Sequence, residues 1–205
     1  MNEMAVLLEA IQTELDCFMD ARQAEFAEIS PELLPIIDYS RDLLRGGKRF
    51  RALFCFTAWQ GSLAGVKDSD DPEQLAGIVK ICAALELFHA AALVHDDLID
   101  QSDTRRGNPA MHKRFEALHS ESQFSGQADR FGAAASILVG DLMLSWSSEL
   151  FGSALLVGRD KEIEAECRYE FGRMRIEVMA GQYLDVLEEN AASNLPLSDA
   201  VARAN

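Results

Sequence analysis

The sequence predicts an all-α fold, an antiparallel bundle of helices. Apolar residues recur at helical spacing along nearly the whole chain, and no segment shows the period-two alternation of a half-buried strand. From Asp71-Pro72 to Asp100 the pattern runs unbroken over roughly 40 Å of helix, apolar enough to require burial inside a bundle.

Residues 3–28 read as an amphipathic helix. Ser30-Pro31 is a start signal, serine capping and proline filling the first turn, and it opens a helix over 32–44. Gly46-Gly47 interrupts the pattern, and the next helix is expected over 48–64. A polar turn leads to Asp71-Pro72, which starts the long apolar helix. Residues 101–128 contain Gly107, Pro109, Gly126 and several serines, and read as loop with a helical turn or two. Helices are expected over 129–153 and 160–188, then a linker over 189–196 and a further element opening at Leu197. Residues 1–205 are taken as one helical domain.

The net charge of −15 excludes nucleic acid and anionic membranes as partners. It would also repel an anionic substrate unless a metal ion or local Arg and Lys clusters intervene. Cys17, Cys55, Cys82 and Cys167 lie far apart in apolar stretches and read as reduced core thiols of a cytoplasmic protein. The N-terminus carries acids and no basic region, unlike a secretory signal. No stretch of 18 charge-free apolar residues occurs, so no membrane span is expected.

Three clusters carry chemistry. His95-Asp96-Asp97-Leu98-Ile99-Asp100 closes the long helix, and Asp96 and Asp100 share one face. The carboxylates repel one another, and the negative end of the helix dipole adds to the repulsion. A cation relieves both, and hard oxygens of this kind suit Mg2+ shared with substrate phosphates. Taken alone, the cluster reads equally as a solvated acidic helix end. Gly46-Gly47-Lys48-Arg49-Phe50-Arg51 combines a released backbone with three cations at a helix start, an anion site. Arg105-Arg106-Gly107 follows the acidic cluster and reads by itself as a salt partner for Asp103 or Asp100. Together they describe a site for two diphosphates, and they resolve the charge conflict locally.

These residues resemble one family. Glu86-Leu87-Phe88-His89, Leu93 to Asp100, and Arg105-Arg106-Gly107-Asn108-Pro109 resemble the first aspartate-rich region of trans-prenyl diphosphate synthases, and Gly46 to Arg51 resembles their GGKRxR motif. Ala133 to Leu144, with Leu138-Val139-Gly140-Asp141, and Gly181-Gln182 with Asp185 resemble the helices that follow. The resemblance implies that Lys48, Arg51, His89 and Arg106 hold the diphosphate of isopentenyl diphosphate. Asp96 and Asp100 would bind the Mg2+ that carries the allylic diphosphate, Arg105 would contact that diphosphate, and Arg49, Asp97, Gln182 and Asp185 would support. The reaction implied is electrophilic chain extension by five carbons. His95 is expected to be packed or hydrogen-bonded rather than a base.

The resemblance also bears on product length. Bulky residues one turn before the first aspartate set a floor in the family. Ala91 and Ala92 stand there, and Phe88 lies a turn lower, which points to geranylgeranyl diphosphate (C20) unless Phe88 faces a neighbouring helix. Ala52 stands where proline is usual, and the loop near 116–131 is long. The lysine and second aspartate-rich motif that the resemblance implies do not occur by Asn205, so the chain is expected to be an incomplete bundle with half its metal site. A homodimer is implied. A non-catalytic subunit of a prenyl synthase and a class I terpene cyclase are the alternatives. The GGKRFR segment and His89 argue against the cyclase, which needs no isopentenyl site.

Overall fold

A computed structural model of the chain describes residues 3–63, 71–155 and 161–191. Seven α-helices account for most of them: α1 (Glu3–Ile29), α2 (Leu34–Leu44), α3 (Phe50–Ser62), α4 (Pro72–Ile99), α5 (Met111–Glu121), α6 (Ala128–Leu155) and α7 (Lys161–Asn190). A 3-10 turn at Pro31–Leu33 precedes α2, and a short hairpin of β1 (Thr104–Arg105) and β2 (Asn108–Pro109) joins α4 to α5. The contacts divide the chain into two compact units, Met1–Val157 and Gly158–Asn205.

The local chemistry explains most boundaries. Ser30 Oγ accepts from Glu32 N–H at 3.3 Å and Asp71 Oδ1 from Glu73 N–H at 3.0 Å, with Pro31 and Pro72 in the first turns. α3 starts at Phe50 rather than 48, because Gly46, Gly47 and Arg49 take φ of 80°, 83° and 48° and cannot be helical. The largest correction lies within 101–128, read as loop. It holds the hairpin and the 11-residue helix α5. Residues from Leu197 onward lie outside the described residues.

In the first unit α4 is the central helix, packed against α1, α2, α3, α5 and most extensively α6. Leu7, Ile11, Leu15 and Met19 form the buried stripe of α1, at four-residue spacing. Burial surrounds α4 on every side, from Ile78 and Cys82 through Leu87 and Ala91 to Val94 and Asp97. Cys17 is exposed rather than a core thiol, since it falls on the polar side of that α1 stripe. α4 and α6 are both long and apolar enough to cross a membrane, with mean hydropathy of 1.8 and 1.2, against the expectation of no candidate span. That expectation required a charge-free stretch, whereas these helices carry isolated charges. In α4, 67 % of the apolar window is buried inside the protein, which accounts for its composition.

In the second unit, α7 pairs charges along its own surface, Arg168 with Glu164 and Arg173 with Glu170. Gln182 and Asp185 stand one turn apart on it.

Candidate active site

The acidic end of α4 is closed by its own backbone. Asp100 N–H donates to the Asp96 carbonyl and Ser102 N–H to the Asp97 carbonyl, both at 2.8 Å. Asp96 and Asp100 fall on one face, Asp100 exposed and Asp96 partly so. Asp97 points elsewhere and is only 2 % exposed. A buried carboxylate needs a partner, and Arg105 supplies it. Arg105 Nε donates to Asp97 Oδ1 at 2.8 Å, Nη2 donates to the same oxygen, and Nη2 also reaches Asp96 Oδ2 at 3.3 Å. Hydrogen bonding to Asp97 and the field of the three aspartates hold the guanidinium firmly charged.

The hairpin sorts the two arginines. Thr104 pairs with Pro109 and Arg105 with Asn108, leaving Arg106-Gly107 as a two-residue turn with φ of 53° and 81°. Positive φ at both central positions is what a hairpin of the primed type demands. Arg105 turns to the aspartates, whereas Arg106 lies over the glycine loop before α3. Glycine suits position 47 for its φ of 83°, and a Cβ there would sit 3.0 to 3.2 Å from the Arg106 guanidinium and push it aside. A cavity of 580 Å³ opens between these parts, lined by Tyr39, Gly46, Gly47, Asp97, Arg105 and Arg106 among others.

A second, smaller recess is lined by Gly46, Glu86, His89 and Arg106. Burial first, then the charges of Arg51, Arg106 and Arg105, push His89 down to about 4, so its imidazole is neutral near pH 7. Glu86 was not foreseen as part of this group. Burial raises its pKa, opposed by Arg49, Arg51 and Arg106. Its position three residues before His89 puts both on one face of α4, a signal the sequence carried. Lys48 and Arg51 are exposed, with Lys48 Nζ 5.8 Å from the Phe50 ring centre. Arg49 is turned inward, 8 % exposed, its Nη2 donating to Gln12 Oε1 and, at 3.0 Å, to the Leu44 carbonyl. Phe88 and Ala91 are buried, and neither lines the cavity or the recess. Of the expected site residues, Gln182 and Asp185 lie on α7 in the second unit; the others stand on the C-terminal half of α4 and its end, in the hairpin, and in the loop before α3 and its first turn.

Residues 32–199 match the family described as polyprenyl synthetase. The chain belongs to that family. It is 26 % identical to farnesyl diphosphate synthase of Haemophilus influenzae over 197 residues, 95 % of this chain and 58 % of the relative. It is 30 % identical to geranylgeranyl pyrophosphate synthase 9 of Arabidopsis thaliana over 151 residues, 72 % of this chain and 35 % of the relative. Among solved structures, geranylgeranyl pyrophosphate synthase from Corynebacterium glutamicum, complexed with isoprenyl diphosphate and magnesium, superposes with a TM-score of 0.80 at 34 % identity. The match covers 92 % of this chain and 52 % of that one. This family member therefore spans about half the length of the relatives it matches, and its all-helical fold is theirs.

The donors at the end of α4 fit magnesium of the kind shared with a substrate. Asp96 and Asp100 offer hard, solvent-accessible carboxylate oxygens one turn apart. Among the described residues no three or more His, Cys, Asp or Glu side chains form a closed cage. The remaining positions must come from phosphate and water, the usual coordination of Mg2+ beside a diphosphate. Asp97 does not fit as a ligand, being buried and occupied by Arg105.

Proposed function

We propose that the chain is the substrate-binding part of a magnesium-dependent prenyltransferase that condenses isopentenyl diphosphate with an allylic prenyl diphosphate. The observation that carries this reading is the division of labour in the hairpin. The adjacent arginines diverge, Arg105 to the carboxylates at the end of α4 and Arg106 over the Gly47 loop, which suits two separate anion sites.

In this reading Lys48, Arg51, His89 and Arg106 bind the diphosphate of the isopentenyl substrate. His89 is a neutral hydrogen-bonding partner in the free protein. Arg49, held by Gln12 and the Leu44 carbonyl, fixes the loop that presents Lys48 and Arg51. Asp96 and Asp100 hold Mg2+, which when bound supplies Lewis-acid stabilisation to the departing diphosphate. Arg105, oriented by Asp97, donates to the same diphosphate. The allylic carbon–oxygen bond breaks with its electron pair leaving on the diphosphate. The isopentenyl double bond attacks the allylic carbon, a proton is lost, and the product is five carbons longer. Gln182 and Asp185 are assigned supporting roles on α7. We assign geranylgeranyl diphosphate as product, because Ala91 and Ala92 are small and Phe88 lies two turns below Asp96. A cytoplasmic homodimer completes the reading, and the exposed Ile137 and Leu138 on α6 support the dimer.

The test is a product assay with isopentenyl diphosphate, geranyl diphosphate and Mg2+, read by mass spectrometry. A ladder ending at C20, and extended in Phe88→Ala, is expected. A C15 stop would remove the length assignment. Absence of product with surviving Mg2+-dependent pyrophosphate binding, lost in Asp96→Asn, would mean that the site binds its ligand but is incomplete in this chain. Absence of both would overturn the reading.

A further inference from the structure

His95 and Gly140 form a contact that the reaction does not use directly. His95 stands one residue before Asp96, and its ring lies flat on α6. Nε2 is 3.4 Å from the Ile137 carbonyl oxygen and 3.6 Å from Asp141 Oδ1. The approach depends on the absence of a side chain at position 140. A Cβ built on Gly140 would overlap His95 Nε2 and sit 2.6 Å from Cε1 and 2.7 Å from Cδ2. Gly140 is buried and lies inside a helix, where glycine costs about 1 kcal/mol relative to alanine. Its φ is not positive, so backbone conformation does not demand it; a side chain there would instead displace the ring of His95.

The location matters more than the contact area. α4 ends four residues beyond His95, and the contacts of His95 Nε2 with the Ile137 carbonyl and Asp141 tie the start of this last turn to α6. A further α4–α6 tie, Ser147 Oγ donating to the Ala84 carbonyl at 2.7 Å, lies three turns lower. Repulsion among three aspartates and the helix dipole both favour fraying of the acidic end. We infer that the His95–Gly140 contact is a positioning device, which clamps the last turn of α4 onto α6 and thereby fixes where Asp96 and Asp100 stand. This inference rests on the proposed role of those two aspartates in holding Mg2+.

The experiment compares the 205-residue chain with Gly140→Ala, His95→Ala, the double variant, and Ser147→Ala as a control for loss of α4–α6 packing. Two readouts are taken. One is hydrogen exchange of the amides of residues 98–102 without metal, followed by mass spectrometry. The other is the Mg2+ concentration that half-saturates binding of inorganic pyrophosphate. Gly140→Ala is expected to speed exchange at 98–102 and to weaken apparent Mg2+ affinity by about tenfold, the lower end for losing an outer-sphere partner. His95→Ala should do the same more mildly. Removing the ring in the Gly140→Ala background should remove the collision, so the double variant should be no worse than His95→Ala alone. Ser147→Ala should lower the melting temperature without changing either readout. Unchanged exchange and Mg2+ dependence in Gly140→Ala would overturn the inference, as would additive losses in the double variant. If the parent chain shows no Mg2+-dependent binding while the exchange pattern holds, the metal reading fails and the clamp stands.

Discussion

Asp97 and Arg105 form a pair whose members stand in unequal surroundings, the carboxylate buried and the guanidinium near a third exposed. Removing the acid leaves Arg105 solvated but unaimed, so the loss is that of hydrogen bonds to a charged group rather than of a fully buried ion pair. Asp97→Ala should therefore lower stability by about 2 kcal/mol in urea unfolding. It should also weaken pyrophosphate binding, with Asp97→Asn recovering part of the stability. His89 makes a second prediction at this scale. Its pKa in the free protein is about 4, below the ordinary 6.5, because of burial and three neighbouring arginines. A bound diphosphate counters those arginines and raises the pKa, so binding near pH 5.5 should take up a proton. Calorimetry in two buffers of different ionisation enthalpy measures the uptake, and His89→Gln should remove its share, beyond the protons that the diphosphate itself exchanges near this pH. The depressed pKa also has a stability sign: the unfolded chain binds the proton first. The contribution of His89 is thus present above pH 6.5 and lost as pH falls toward about 4.

The turn glycines show how one backbone requirement can carry two consequences. Gly47 and Gly107 take φ of 83° and 81°, so an alanine at either is strained by about 1 kcal/mol. A Cβ at 107 meets nothing within 4 Å, whereas at 47 it meets the Arg106 guanidinium. Gly47→Ala and Gly107→Ala should lose similar stability in thermal melts. Only Gly47→Ala should also weaken pyrophosphate binding, by about tenfold, the equivalent of one displaced charged hydrogen bond. The same scale explains what periodicity could not reveal. α5 buries Met111, His112, Phe115 and His119, and two of those four are histidines, so its stripe is hidden from a hydrophobic count. The hairpin strands are two residues each, too short for any alternation. The long helices were legible because their apolar stripes run for several turns, as along Leu7, Ile11, Leu15 and Met19.

Across the molecule, the site was legible as three clusters in order along the chain, but their arrangement was not. The resemblance sent Arg105 and Arg106 to different diphosphates, but only the structure gives the reason; the primed turn decides it, and the turn depends on φ values at 106 and 107. Nor does DDxxD distinguish the buried Asp97 from its exposed neighbours except through helical phase. The net charge of −15 gave the clearest advance warning, since an anionic ligand must cross a repelling field to reach a local cationic site. Those two fields have different ranges, and salt separates them. At about 10 mM ionic strength the Debye length is about 30 Å and the whole surface repels; at about 150 mM it is about 8 Å, and only the nearby arginines and lysine are felt. The association rate of pyrophosphate, at fixed Mg2+, should therefore rise between these salt concentrations and fall again toward 1 M, where about 3 Å of screening length weakens the local attraction too. Basic anion-binding proteins show a monotonic fall. A monotonic fall here would mean that the distant acids do not govern approach, and that the cationic cluster acts on the ligand from well outside the site.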